Sequence, residues 1–235
     1  MILYESNDFW DKFYIQYLET VCSLRKINFS KDELEDFVIE KEYLNEESNN
    51  FFGSYIKKII NVLQYFRILV LKGVELRREN NSWPHINIEE LRELYLKFDP
   101  DGTYLLFFDE KNKNSFQVIY EKICKKTENI ENLYDLCEQI AFCFIGMLAS
   151  KPLGEFTYEF SWLMLQSIFI FKKFGILLFC DKYDMKSMND LITNLIKKYE
   201  IPSDQKWITS PEFMQVCHSF ETISETWLKK HYKTK

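Results

Sequence analysis

The chain has 235 residues, 21 Phe and 14 Tyr, but 6 Gly and 5 Pro, and a net charge of −6. Its length is enough to bury roughly 70–75% of the unfolded surface, so a core needs no disulfide or metal staples. Few turn formers imply few connections and long helices, and the negative balance argues against nucleic acid as the default partner.

The six cysteines show no C-x-x-C and no paired framework. Most fall on apolar faces, which points to a reducing, cytoplasmic setting. The N-terminus has no basic segment followed by an apolar one, so no secretory signal is expected. The pattern predicts an all-α fold, a compact bundle of about eight to nine helices around two long apolar helices at 51–79 and 155–180. Residues 1–235 read as a single helical domain, with two lobes meeting near 99–114 as the alternative.

In chain order, Phe9/Trp10, Phe13/Tyr14, Tyr17/Leu18 and Val21/Cys22 mark an amphipathic helix over 6–26, with Ser6, Asn7 or Asp8 as N-cap. Packing in the core is the expected role of Trp10, Tyr14 and Tyr17. Ser30 and Glu33 form a capping box, and Leu34, Phe37, Val38 and Leu44 continue as one apolar face. Asp32, Glu33, Glu35, Asp36, Glu40, Glu42, Glu46 and Glu47 stand here against Lys31 and Lys41. Eight acids minus two lysines equal the charge of the whole chain, so the remainder is balanced.

The helix at 51–79 has a narrow polar edge of Lys58, Asn61, Gln64 and Arg67, with Gly73 as the expected kink. Pro84 lies in a loop, and Asn87 with Glu90 caps a helix through Ile88, Leu91, Leu94, Tyr95 and Phe98. Asp99-Pro100-Asp101-Gly102 is a turn. The stretch 103–120 is either a small β-hairpin turning at Lys111–Asn114 or a short helix and a second one from Ser115. The marginal stability of a lone hairpin favours helices. Thr127 is the expected cap of a helix through Ile130, Leu136/Cys137, Ile140/Ala141, Phe144 and Met147, with a short return at 150–154.

In Glu155–Cys180 the polar residues Glu155, Glu159, Gln166 and Lys173 fall within roughly 40° on a helical wheel, and the rest is apolar. Lys172 and Lys173 inside the run exclude a membrane span, leaving a buried central helix with Trp162 and Phe169 inside. Asp184 opens a helix with Met185, Met188, Leu191/Ile192 and Leu195/Ile196 in register. Ser210-Pro211 is an N-cap with Pro at the first helical position, before Phe213, Cys217, Phe220, Ile223 and Trp227.

No chemistry stands out along the chain. His85, His218 and His231 have no ligand partners at metal spacing, and Cys217 beside His218 reads as a core thiol next to a surface imidazole. The Asp99–Gly102 turn lacks the positions of a calcium loop, and six glycines leave no phosphate-cradling loop. No metal and no cofactor are expected. The pairs Lys57/Lys58 and Arg77/Arg78 read as solvated edges.

Arg78 and His85, separated by six residues, resemble the R-x(4–6)-H signature of HEPN-type ribonucleases over eight residues, with Pro84 just before the histidine. The resemblance implies metal-independent RNA cleavage, with Arg78 on the phosphate and His85 as acid or base. The leading reading is different: a non-enzymatic cytosolic protein of the inhibitor or toxin-immunity kind. Its acidic surface at 31–47 would dock a basic protein, because concentrated charge speeds encounter and selects partners. A structural subunit of a larger assembly is the remaining alternative.

Overall fold

The computed structural model describes residues 3–80, 86–104, 116–179, 182–201 and 205–231, with the backbone alone at 3, 46–52, 54, 80, 117, 182–184 and 205. Nine α-helices and no strand occur among the described residues. The chain divides into two compact units, Met1–Gly102 and Thr103–Lys235, so one long apolar helix falls in each.

In the N-terminal unit, α1 (Asn7–Arg25) starts where the Ser6 side chain accepts from the Phe9 N–H. Phe9, Trp10, Phe13, Tyr17 and Leu18 are buried. Phe13 stacks against both Tyr17 and Phe66. Next, α2 (Lys31–Ile39) packs on α1 through Leu34, Phe37 and Val38.

The third helix, α3 (Glu46–Asn80), starts earlier than the apolar periodicity suggests and breaks at Gly53, not at Gly73. Gly53 takes φ 75°, ψ 159°, a region open essentially to glycine alone, whereas Gly73 stays helical and buried. Beyond the break, Ile56, Ile59, Ile60, Leu63, Phe66 and Val70 are buried. The fourth helix, α4 (Ile88–Phe98), begins in the Asn87/Glu90 capping box and packs on α3. Both its ends are tied there: Lys72 pairs with Glu90, and Lys58 Nζ donates to the Phe98 carbonyl at 2.9 Å.

The C-terminal unit contains α5 (Phe116–Thr127), α6 (Leu133–Ser150), α7 (Thr157–Lys172), α8 (Lys182–Lys198) and α9 (Pro211–His231). The hairpin alternative at 103–120 is corrected: Phe116 to Tyr120 is helix, because Phe116, Tyr120, Ile123 and Cys124 recur at helical spacing and are all buried. Its turn at Lys111–Asn114 lies outside the described residues. Thr127 does not cap α6. It closes α5, its hydroxyl donating to the carbonyls of Ile123 and Cys124, and Asn132 accepts from the Tyr134 and Asp135 N–H groups instead. Among the described helices, α6 alone is long and apolar enough to cross a bilayer, yet it packs against α5, α7, α8 and α9.

The run Glu155–Cys180 is not one helix. It ends at Lys172, where Lys173 takes a left-handed conformation (φ 64°) and the Phe174 N–H bonds to the Phe169 carbonyl. Residues 174–179 continue as irregular backbone, with Ile176, Leu177, Leu178 and Phe179 buried. Trp162 and Phe169 are buried as expected, and Lys173 is exposed. Glu159 and Gln166 lie inside the unit whereas Glu155 is exposed like Lys173, so the narrow polar stripe is internal only in its middle. A buried non-helical segment must satisfy its backbone groups without a ladder. Gln166 does this for Leu177: its Oε1 accepts the Leu177 N–H at 2.7 Å and its Nε2 donates to the Leu177 carbonyl at 3.2 Å. Ser224 on α9 donates to the Gly175 carbonyl at 2.6 Å.

Candidate functional site

The acidic segment is built on α2 and the turn after it. In the capping box the Glu33 carboxylate accepts from the Ser30 N–H at 2.7 Å, and the Glu33 N–H donates to Ser30 Oγ at 3.2 Å. The Ser30 backbone bond, followed by its hydroxyl, holds the Glu33 carboxyl below its ordinary value. Asp32 sits in the same first turn, where the helix dipole favours an anion. Glu35 pairs with Lys31 one turn back at 3.3 Å. These three acids therefore have local structural partners.

Asp36, Glu40 and Glu42 have no such account. Asp32, Asp36 and Glu40 are exposed and spaced by four, one row about 12 Å long on the outer face. Like charges at that spacing oppose each other by about 0.2–0.5 kcal/mol per pair. Asp36 and Glu40 also stand at the C-terminal end of α2, whose last turn holds no basic residue, where the dipole disfavours anions. Both the row and its placement work against the helix. Glu42 follows in a 3-10 turn (Glu42–Leu44), entered through Lys41 in a left-handed conformation. Glu46 and Glu47 lie on the first turn of α3, and their side chains are outside the described residues.

Two apolar side chains stand among these acids, and the periodicity did not single them out. Ile39 is 57% exposed and Leu44 is 71% exposed. Leu44 was expected to continue the buried face of Leu34, Phe37 and Val38. The chain reversal at Lys41 takes it out of that register. Ile39 follows Val38 directly, about 100° round the helix from it, which was a legible signal of exposure.

The remaining candidates separate from this surface. Arg78 is exposed and paired with Glu5, and His85 lies outside the described residues. Lys57, Lys58 and Lys97 line a shallow groove of about 560 Å³, but Lys58 is bound to the Phe98 carbonyl and Lys97 lies 4.7 Å from the Tyr65 ring centroid. Trp10, Tyr14 and Tyr17 are core residues. Cys217 is buried and His218 is exposed, its Nδ1 3.5 Å from the Glu221 carboxylate. No group of three or more His, Cys, Asp or Glu is placed to hold a metal ion among the described residues. Burial pushes the thiols of Cys22, Cys124 and Cys217 up to about 12, that of Cys143 up to about 11, and that of Cys137 upward as well. None of these five has the depressed value of an activated nucleophile. Comparison with protein-family models, curated proteins and solved structures finds no match for this chain.

Proposed function

We propose that this is a non-enzymatic protein-binding protein of the inhibitor or toxin-immunity kind, which captures a basic protein partner on α2 and the turn that follows. The observation that carries this reading is the pair Asp36 and Glu40, placed against the interest of their own helix and, with Glu42 in the following turn, flanking the exposed Ile39 and Leu44. Exposed apolar side chains within a predominantly acidic surface, Lys41 being its exposed basic member, supply the two parts of a docking surface: area to desolvate and a field that steers the encounter. A reducing, cytoplasmic setting belongs to the same reading, supported by the free thiols of the five cysteines among the described residues, all buried or half-buried.

The test begins with affinity purification from the source cell. The captured protein is then purified, and its association with wild type and with Asp36→Lys/Glu40→Lys/Glu42→Lys is followed at low and high salt. The expected partner is basic, and the triple variant associates about ten-fold more slowly or worse, with its salt dependence lost. Leu44→Asp is expected to act on dissociation instead. A partner that is acidic, or an association rate that the triple variant leaves unchanged, overturns the proposal.

A further inference from the structure

The C-terminal unit carries a second feature, unrelated to the acidic surface. A groove of about 700 Å³ lies between α8, α9 and the segment 174–179. Its volume falls in the range of small-molecule sites, roughly 300–1,000 Å³. One face of α9 runs along it from Pro211 to Thr226, about 22 Å at the helical rise. Leu178, Phe179, Met188 and Leu191 form its apolar side.

Three properties of the groove define what it takes. First, none of its thirteen described lining residues is Asp, Glu, Lys or Arg, although at the chain's 28% charged share between three and four would be. Glu221, close to His218, is not part of the lining.

Second, the polar side chains form a row along α9: Gln215, His218, Ser219, Thr222 and Thr226. Hydroxyls inside a helix commonly bond back to the preceding turn, and Ser219 does so, donating to the Gln215 carbonyl at 2.8 Å. Thr222 and Thr226 make no hydrogen bond among the described residues, so their hydroxyls stay available on the groove side.

Third, the apolar side is held in place. Phe179 stacks on the buried Trp162 with ring centroids 5.8 Å apart and planes at 10°. The backbone leading to it is pinned by Gln166 at Leu177 and by Ser224 at Gly175. A site on pinned elements loses little entropy on binding. Met214, 48% exposed, completes the rim with a large polarisable group.

We propose that this groove binds an uncharged, elongated small molecule, apolar along one edge and hydrogen-bonding along the other. The apolar edge lies on Phe179, Met188 and Leu191, and the polar edge on Thr222 and Thr226. A charged ligand is disfavoured, because the described lining holds no Asp, Glu, Lys or Arg to serve as counter-ion for a group taken out of water.

The test uses two dyes on the full chain: N-phenyl-1-naphthylamine, which is uncharged, and 1-anilinonaphthalene-8-sulfonate, the same ring system bearing a sulfonate. The uncharged dye is expected to bind saturably at one site, and the sulfonate at least about ten-fold more weakly. Met214→Glu, at an exposed position that leaves folding intact, is expected to weaken the uncharged dye about ten-fold. Thr222→Ala weakens it about five-fold, the worth of one neutral hydrogen bond. The triple charge-reversal variant of α2 and its turn keeps wild-type dye affinity, which separates this proposal from the docking surface. Absence of saturable binding, equal affinity for the two dyes, or wild-type affinity in either groove variant overturns it.

Discussion

Gln166→Leu isolates the contact on which the irregular segment depends. Gln166 is fully buried on α7, and its amide serves both backbone groups of Leu177, itself fully buried. Leucine has a similar size but no polar atoms. It leaves one N–H and one C=O without partners in the core, at about 1–3 kcal/mol each. Part of this is offset, because the variant buries an apolar side chain in place of an amide that had to be desolvated. The net loss expected is about 2–4 kcal/mol. With a urea slope of about 1–3 kcal/mol per molar, the unfolding midpoint falls by about 0.7–4 M.

Gln166→Glu sharpens the argument, because its carboxyl mimics the amide only when protonated. In that form it donates to the Leu177 carbonyl and accepts the Leu177 N–H. Burial then raises its folded-state value above the ordinary glutamate value of about 4.3. For an acid raised on folding, stability is intact below the unfolded value and falls as pH rises above it, since the folded state holds the extra proton. The variant should therefore approach wild type near pH 4 and lose stability toward pH 7. Urea unfolding followed by circular dichroism measures both effects, and hydrogen exchange at the Leu177 amide localises them. A Gln166→Leu midpoint matching wild type, or a Gln166→Glu pH profile parallel to it, would refute the clamp.

Two glycines in the same unit predict opposite outcomes. A Cβ on Gly175 would lie 2.0 Å from the Ser224 carbonyl oxygen and 2.9 Å from Leu228 Cγ, so Gly175→Ala forces α9 and the segment apart, at about 1–3 kcal/mol or more. A Cβ on Gly146, inside α6, meets nothing within 4 Å, so Gly146→Ala should stabilise by about 0.4–1 kcal/mol, and thermal unfolding distinguishes the pair. In the N-terminal unit, Ser30→Ala removes a cap and costs about 1 kcal/mol by urea unfolding. The lowered Glu33 value means that its capping contribution is complete above the unfolded glutamate value and is lost as pH falls through the folded one. A Glu33 titration by NMR with its midpoint at the ordinary value would contradict this.

What the sequence revealed follows from how local each interaction is. The boxes Ser30/Glu33 and Asn87/Glu90 and the cap at Ser210 involve residues three apart, so they are readable without a fold. The paired spacing of α1 is equally plain, because one face is apolar and the other is not. Periodicity loses its phase where every face is buried. In Glu155–Cys180 an all-round apolar run is compatible with a helix or with an irregular buried strand of chain. The decision lay with Gln166, whose partner is eleven residues away, and with Gly175, whose reason is the backbone of α9. Thr127 and Asn132 are both cap-competent, and the back-bonding of Thr127 into α5 decided between them.

The acidic segment was legible only in part. All eight carboxylates are visible as one cluster and the Ser30/Glu33 box is legible within it, but the Lys31–Glu35 pair and the exposure of the Asp32, Asp36, Glu40 row appear only in the structure. The reversal at Lys41 that brings Leu44 to the surface likewise appears only in the structure. The groove draws on three separate stretches, at 178–179, 187–191 and 211–226, and each alone reads as ordinary amphipathic chain. Both proposed sites therefore rest on departures from the regular pattern: an apolar residue turned outward after α2, and a helix that stops at Lys172 so that Phe179 can line a groove. A chain selected only for packing has no need of either, since extending α2's buried face or α7's helix would satisfy the core more simply. One departure sets Leu44 in solvent and the other borders a groove, each beside a specific backbone contact, and that is the physical reason for proposing function at them.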